Sequence, residues 1–151
     1  MELLQTVFSD VNWWVVLVAV LSTMPVGYLW YDLKMGFGKK WSKLVGVTEK
    51  QMNDSSDMGK TFGVMLFVSL LTALLLNLLL KEYAVTDFVD GLVFGAVVGL
   101  VLRGGAHFIH NGFAKRSLEL SWIDAGHDMV SVAVMAAILA VVMAAILAVW
   151  G

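Results

Sequence analysis

Arg103, His107, His110 and Asn111 each have a partner three or four residues away within their set, and so do Asp124, His127, Asp128 and Ser131 a short distance further on. Spacings of three and four place side chains on one face of a helix, so each set is a polar stripe in an otherwise apolar stretch. Three chemistries fit these residue types. In the first, Asp128 neutralises Arg103 and the histidines hydrogen-bond to carbonyls, which makes a structural network. In the second, Asp and His in series relay protons near neutral pH and form a path for a proton or solute. In the third, H-x-x-H at 107–110 faces D-x-x-H-D at 124–128, a ligand set for Zn²⁺ or a similar ion. Two-histidine spacings are common by chance, so no bound metal and no other cofactor is expected. A hydrolase arrangement of Ser131, His127 and Asp124 is weaker still. All three lie within two turns of one helix and no oxyanion donors accompany them. No residue is assigned a catalytic role, and the chain is not expected to be an enzyme.

The composition says what must carry these stripes. Of 151 residues, 60% are hydrophobic and only 15% are charged, where a soluble domain has roughly half and a quarter. The 14 glycines against a single proline match the balance of membrane helices. A net charge of −2 supplies no field for polyanions, so no nucleic-acid partner is expected. The absence of cysteine excludes disulfides, thiolate metal sites and a cysteine nucleophile. A bilayer crossing needs about 20 apolar residues at ~1.5 Å each. Four stretches qualify, 11–31, 61–80, 88–113 and 122–150, separated by one longer loop at 32–60. The expectation is an all-α polytopic membrane protein, a single four-helix domain over 1–151 whose main partner is the lipid bilayer.

Charge sets the orientation. Lys34, Lys39, Lys40, Lys43, Lys50 and Lys60 lie between the first two spans, and Lys115 and Arg116 between the last two; the opposite side has only Lys81. The positive-inside rule then puts both termini outside and the lysine-bearing loops in the cytoplasm, as in a multi-pass protein of a cell inner membrane. No basic residue precedes Lys34, while Glu2 and Asp10 do, so the first span is a retained helix rather than a secretion signal. Trp13, Trp14, Tyr28, Trp30, Tyr31, Trp122 and Trp150 sit at span ends and are expected to anchor at the headgroups. In the long loop, Phe37, Trp41 and Leu44 fall on one face of a short helix lying on the inner leaflet, its lysines toward anionic lipid. Thr48 to Gln51 has capping-box spacing, and Asn53 to Asp57 forms a polar hinge.

Small residues four apart let helix backbones approach closely. Gly91, Gly95 and Gly99 form such a seam in the third span, and Ala136, Ala140, Ala144 and Ala148 in the fourth. Ala19, Thr23 and Gly27 give a third, beside an expected kink at Pro25, and Ser69, Ala73 and Asn77 a fourth. Seams on every span are more than one bundle needs, so a homo-oligomer is expected. The link 114–121 is short enough to make spans three and four antiparallel neighbours. Pairing them end to end sets Asp124 opposite Asn111 and Asp128 opposite His107, with Arg103 one turn deeper, about 15 Å in from Phe113.

Asn12-Trp13, Gly27-Tyr-Leu-Trp30-Tyr31, Gly36-Phe-Gly38-Lys39-Lys-Trp41 and Gly46-Val-Thr48-Glu49 together resemble the family catalogued as domain of unknown function 1761. So do Asn111-Gly-Phe113, Ile123-Asp124-Ala-Gly126 and the Met135-Ala-Ala-Ile138-Leu run. The likeness covers Asn12 to Trp150, and its first block is the more specific. It implies a small four-span membrane protein and brings neither an activity nor functional residues. Function therefore rests on the cluster of Arg103, His107, His110, Asn111, Asp124, His127 and Asp128. The leading expectation is transport or permeation of a small solute or ion between spans three and four; the alternative is a non-catalytic membrane scaffold or accessory subunit.

Overall fold

The computed structural model describes Phe8, residues 11–52, Asp54, Ser56 and residues 58–150, with side chains as far as Ala145. Glu2, Asp10, the hinge residues Asn53, Ser55 and Asp57, and the side chains of Ala148 and Trp150 lie outside the described residues.

Span one consists of α1 (Trp13–Leu21) and α2 (Thr23–Trp30). The loop after it contains α3 (Gly38–Val45) and α4 (Glu49–Met52), and span two is α5 (Met58–Glu82). Span three is α6 (Phe88–Val98), a π-helical turn (Gly99–Gly104) and α7 (Gly105–Phe113); span four is α8 (Leu118–Trp150). Helices long and apolar enough to cross a membrane run Trp13–Trp30, Met58–Glu82, Phe88–Phe113 and Leu118–Ala145, and the described residues contain no strand. The protein is an all-α, multi-pass membrane protein.

Side chains fix the helix ends. Asn12 Oδ1 accepts from the Val15 N–H at 3.4 Å and Asp87 Oδ1 from Val89 at 2.8 Å, each at a helix N-terminus. Ser117 Oγ accepts from Leu120 at 3.2 Å, which starts span four at Leu118 rather than at 122. In span one the break falls at Ser22, a turn before Pro25. Proline has no N–H to return to the Leu21 carbonyl, and the helix interrupts there. The Ser22 and Thr23 hydroxyls donate back to the Ala19 and Val20 carbonyls, each at 2.7 Å. Thr48 and Gln51 form the reciprocal capping bonds their spacing implies.

α8 is the axis of the bundle: spans one, two and three all pack on it, and α1 also packs on α5. At the end carrying the α5–α6 link, an apolar core joins Val16, Ala19 and Val20 of α1, Ala73, Leu74, Leu76 and Leu80 of α5, and Val132, Met135, Ala136, Leu139 and Ala140 of α8. Phe94 and Val98 of α6 pack against it. The glycine seam lies against the alanine seam here. A Cβ on Gly91 would stand 2.8 Å from that of Ala140, and one on Gly95 would stand 2.5 Å from the Val132 carbonyl and 2.6 Å from the Ala136 Cβ. Ala19, Thr23, Ser69 and Ala73 are buried too, and Ala144 is half-buried. The seams whose number suggested an oligomer are largely used within one chain.

The other end, which carries the lysine-rich loop, is built differently. Span two leaves the bundle there, and every residue from Met58 to Val64 is exposed. Spans one and three each pack on α8 without substantial contact with one another. There α8 meets them through polar side chains, Asp128 pairing with span three and Asp124 with span one.

Candidate functional site

The lysine-bearing end of the bundle is held by polar groups. Asp128 of α8 is buried and both of its carboxylate oxygens are occupied: Oδ1 lies 3.1 Å from Arg103 Nη2 and 3.4 Å from His127 Nδ1, and Oδ2 lies 3.0 Å from His107 Nε2. His127 Nε2 is 3.3 Å from Ser131 Oγ. These contacts agree with one tautomer, in which Nδ1–H donates to Asp128 and Nε2 accepts from the serine hydroxyl. One carboxylate thus gathers an arginine and two histidines from two helices.

A backbone irregularity brings span three into register. Residues four apart on an α-helix drift by ~40° per step, so Arg103, His107 and Asn111 would rotate away from the face of Gly91, Gly95 and Gly99. The π-helical turn falls between Gly99 and Gly104, where the Gly105 N–H reaches back to the Leu100 carbonyl. The extra residue in that turn takes up the drift. Glycine seam and polar stripe therefore face the same helix.

Toward span one the cluster meets rings. Tyr31 lies 5.1 Å from the His127 ring and Trp30 lies 6.4 Å from it, centroid to centroid. Tyr31 OH and Trp41 Nε1–H both donate to Asp124 Oδ1, at 3.0 and 2.9 Å, and Trp30 Nε1–H donates to the Ile123 carbonyl at 3.0 Å. Gly126 leaves room for the Trp30 indole, since a Cβ there would stand 2.9 Å from it. The turn that folds α3 back over the cluster is equally tight. Asp32 Oδ1 accepts from the Lys34 and Met35 N–H groups, both at 2.7 Å, and the bonds from Met35 and then Lys34 hold this exposed carboxyl below its ordinary range. A Cβ on Gly36 would run into the Leu29 and Trp30 carbonyls, and one on Gly38 into that of Tyr31. Lys40 then pairs with Glu119.

Several expectations need correction. Asp124 does not face Asn111; it belongs to the aromatic side, and Asn111 instead donates to Ser121 Oγ at 3.1 Å. The reason is helical phase. Ser121 turns toward α7 and donates to the His107 carbonyl at 3.3 Å, whereas Asp124 turns toward α3. His110 is exposed on α7 and joins no part of the cluster. Trp30 and Tyr31 face inward as hydrogen-bond donors instead of anchoring at headgroups, and Trp41, expected with Phe37 and Leu44 on a leaflet-facing side, donates to Asp124; Trp13, Trp14, Tyr28 and Trp122 are exposed as anchors would be. Among the described residues no three His, Asp or Glu side chains are placed to hold a metal ion.

The carboxylate that His127 meets is Asp128, not Asp124, so Ser131, His127 and Asp128 have the connectivity of a hydrolytic triad. Ser131 is 2% exposed, however, and the neighbouring N–H groups belong to the α8 ladder, which leaves neither access nor an oxyanion hole. What the arrangement offers chemically is a hydrogen-bonded series, Ser131–His127–Asp128–His107, with Arg103 beside it. Every member can hold or pass a proton or bind a polar guest.

The model of a family described as protein of unknown function (DUF1761) matches residues 14–140. No curated protein and no solved structure matches the chain.

Proposed function

The chain belongs to the DUF1761 family, and from that premise we propose that it moves a small solute or ion through the polar cluster between spans three and four. The observation that supports this reading most is Asp128. It is a buried carboxylate held by Arg103, His107 and His127 at the lysine-bearing end of the bundle, with an apolar core at the other end. Ionisable groups in a bilayer are expensive and are functional candidates by default. Flux would then require the glycine–alanine seam to part. The cluster acts as a relay or binding point and not as an enzyme active site.

The basic asymmetry of the loops supports an inner membrane with the lysine-bearing end in the cytoplasm. A reporter active only in the cytoplasm should stay silent when fused to Gly151; activity there reverses the orientation. Purified protein in liposomes should pass protons or a small ion under a gradient, and Asp128→Asn should abolish flux in protein that is still recovered folded. Flux equal to that of empty liposomes for protons, alkali cations, chloride and phosphate would remove the transport reading.

One observation favours a scaffold or homo-oligomer as the second reading. Gly59 and Gly63 form a GxxxG pair on the exposed half of α5, and a Cβ on either would meet nothing within 4 Å. A partner helix could approach there. Loss of a stoichiometric partner, or of a second copy, on Gly63→Leu would support it.

A further inference from the structure

We infer that Arg103 and His107 bind an oxyanion, which replaces Asp128 on Arg103 and enters together with one proton. This deepens the transport reading and rests on it for the role of the cluster, although binding is measurable without flux.

Donors outnumber acceptors at the site. Both oxygens of Asp128 are taken, whereas Arg103 makes a single ion pair through Nη2 among the described residues. A guanidinium has five N–H donors in a planar fork that matches a carboxylate or phosphate two bonds at a time. Most of that fork is uncommitted. The side chains of Arg103 and His107 are 33% and 34% exposed, against 10% for Asp128, so the cationic side of the cluster is accessible and the anionic side is not. The groups facing Asp128 are Arg103 and His107 of span three, His127 and Asp124 of its own helix, and Tyr31 at the end of span one. Asp124, the other carboxylate, already accepts from Tyr31 and Trp41. Among the described residues no second acceptor competes for Arg103.

An arriving oxyanion and Asp128 compete for the same fork. A carboxylate left buried without its arginine is uncompensated, and it takes up a proton from solution. Each anion bound thus brings one proton, and the site remains neutral overall. The oxyanion could be a small soluble one entering from the lysine-bearing end. It could equally be the head of an anionic lipid whose chains lie along the exposed Val101 and Leu102.

The full-length protein in phosphatidylcholine nanodiscs is titrated with sodium phosphate and with sodium acetate, and in a third series with phosphatidylglycerol mixed into the disc. Fluorescence of the tryptophans, of which Trp30 and Trp41 adjoin the site, reports binding alongside the thermal midpoint. A saturable response to at least one probe is expected, tightening about tenfold for each unit fall in pH while one proton is linked. A response to phosphatidylglycerol alone assigns a lipid head, and a response to the soluble salts assigns a soluble anion. Asp128→Asn should bind about tenfold or more tightly at neutral pH and lose the pH dependence, because the competing charge is gone. Arg103→Lys, which keeps charge but loses the fork, should weaken binding about tenfold. No response to any probe in either wild type or Asp128→Asn overturns the inference, as does binding indifferent to Arg103→Lys. Flux without anion binding overturns it while leaving transport intact. Anion binding without flux supports the site and removes transport.

Discussion

The two halves of the bundle use the same spans and differ in what lies between them. At the end of the α5–α6 link, glycine and alanine bring α6 and α8 so close that an added methyl on Gly95 would overlap backbone atoms of α8. At the lysine-bearing end, the same two helices are joined through Arg103, His107 and Asp128, and span two has moved away. Apolar burial distinguishes poorly between a neighbouring helix and a lipid tail, so membrane helices associate by close packing or by hydrogen bonds. This protein uses one device in each half. The seam half specifies shape and has no spare volume. The cluster half is held instead by directional contacts that converge on one carboxylate.

The largest expected effect strikes the seam half. Gly95→Leu should prevent recovery of folded protein in mild detergent. Even Gly95→Ala should lower stability by about 1–3 kcal/mol, the usual penalty of overpacking. Gly63→Ala is the control on the open stretch of α5: with nothing near its Cβ it should be neutral or stabilise by up to about 1 kcal/mol. Thermal unfolding of the three variants checks this. A Gly95→Ala protein as stable as Gly63→Ala would mean the seam is not closely packed.

Next in size comes the ion pair that replaces the seam. Arg103→Leu and Asp128→Leu each strand a partner within the cluster, and each should cost about 3–5 kcal/mol, more than the double variant does. Losses that add in the double variant would show that the two residues do not act on each other, and the cluster would no longer be what joins the helices in that half.

Both halves were legible in the sequence to different depths. The glycine and alanine seams and the pairing of Asp128 with span three follow from spacing, because residues four apart on antiparallel helices must meet. The π-helical turn was not legible. Nothing in Gly99-Leu-Val-Leu-Arg-Gly104 departs from α-helical propensity more than its flanking glycines do, and the turn arises from the need of two stripes to face one helix. The aromatic side was missed for another reason. Trp30, Tyr31 and Trp41 sit where interfacial anchors sit, and composition alone does not separate a ring facing lipid from one facing a carboxylate. The signal available was Gly36-Phe-Gly38, whose glycines permit the turn that folds α3 back toward Asp124.

That fold-back gives a middle-sized test confined to the cluster half. Tyr31→Phe and Trp41→Phe each remove one donor from Asp124, and each should lower stability by about 1–3 kcal/mol. Trypsin should then cut faster at Lys39 or Lys43, because α3 is less firmly docked. Unchanged cleavage in both variants would mean α3 is held by Lys40–Glu119 and its apolar contacts instead.

The smallest effect compares the two ends through a feature they share. Ala84 follows α5 at one end and Lys115 follows α7 at the other, and both are left-handed, with φ of 51° and 57°. In each case the next N–H bonds back across the cap, Val85 to the Leu80 carbonyl at 2.8 Å and Arg116 to that of Asn111 at 2.9 Å. These are Schellman-type helix ends, where glycine is the usual occupant. A residue with a Cβ is strained there by about 1–2 kcal/mol. Glycine relieves that strain but loses part of the gain through the greater freedom of the unfolded chain. Ala84→Gly and Lys115→Gly should therefore each stabilise by about 0.5–1 kcal/mol in thermal unfolding. Equal gains would show that cap strain is local and independent of which device holds the half. If Lys115→Gly gains nothing while Ala84→Gly does, the lysine side chain contributes at its own end, and the cluster half extends into the loop between spans three and four.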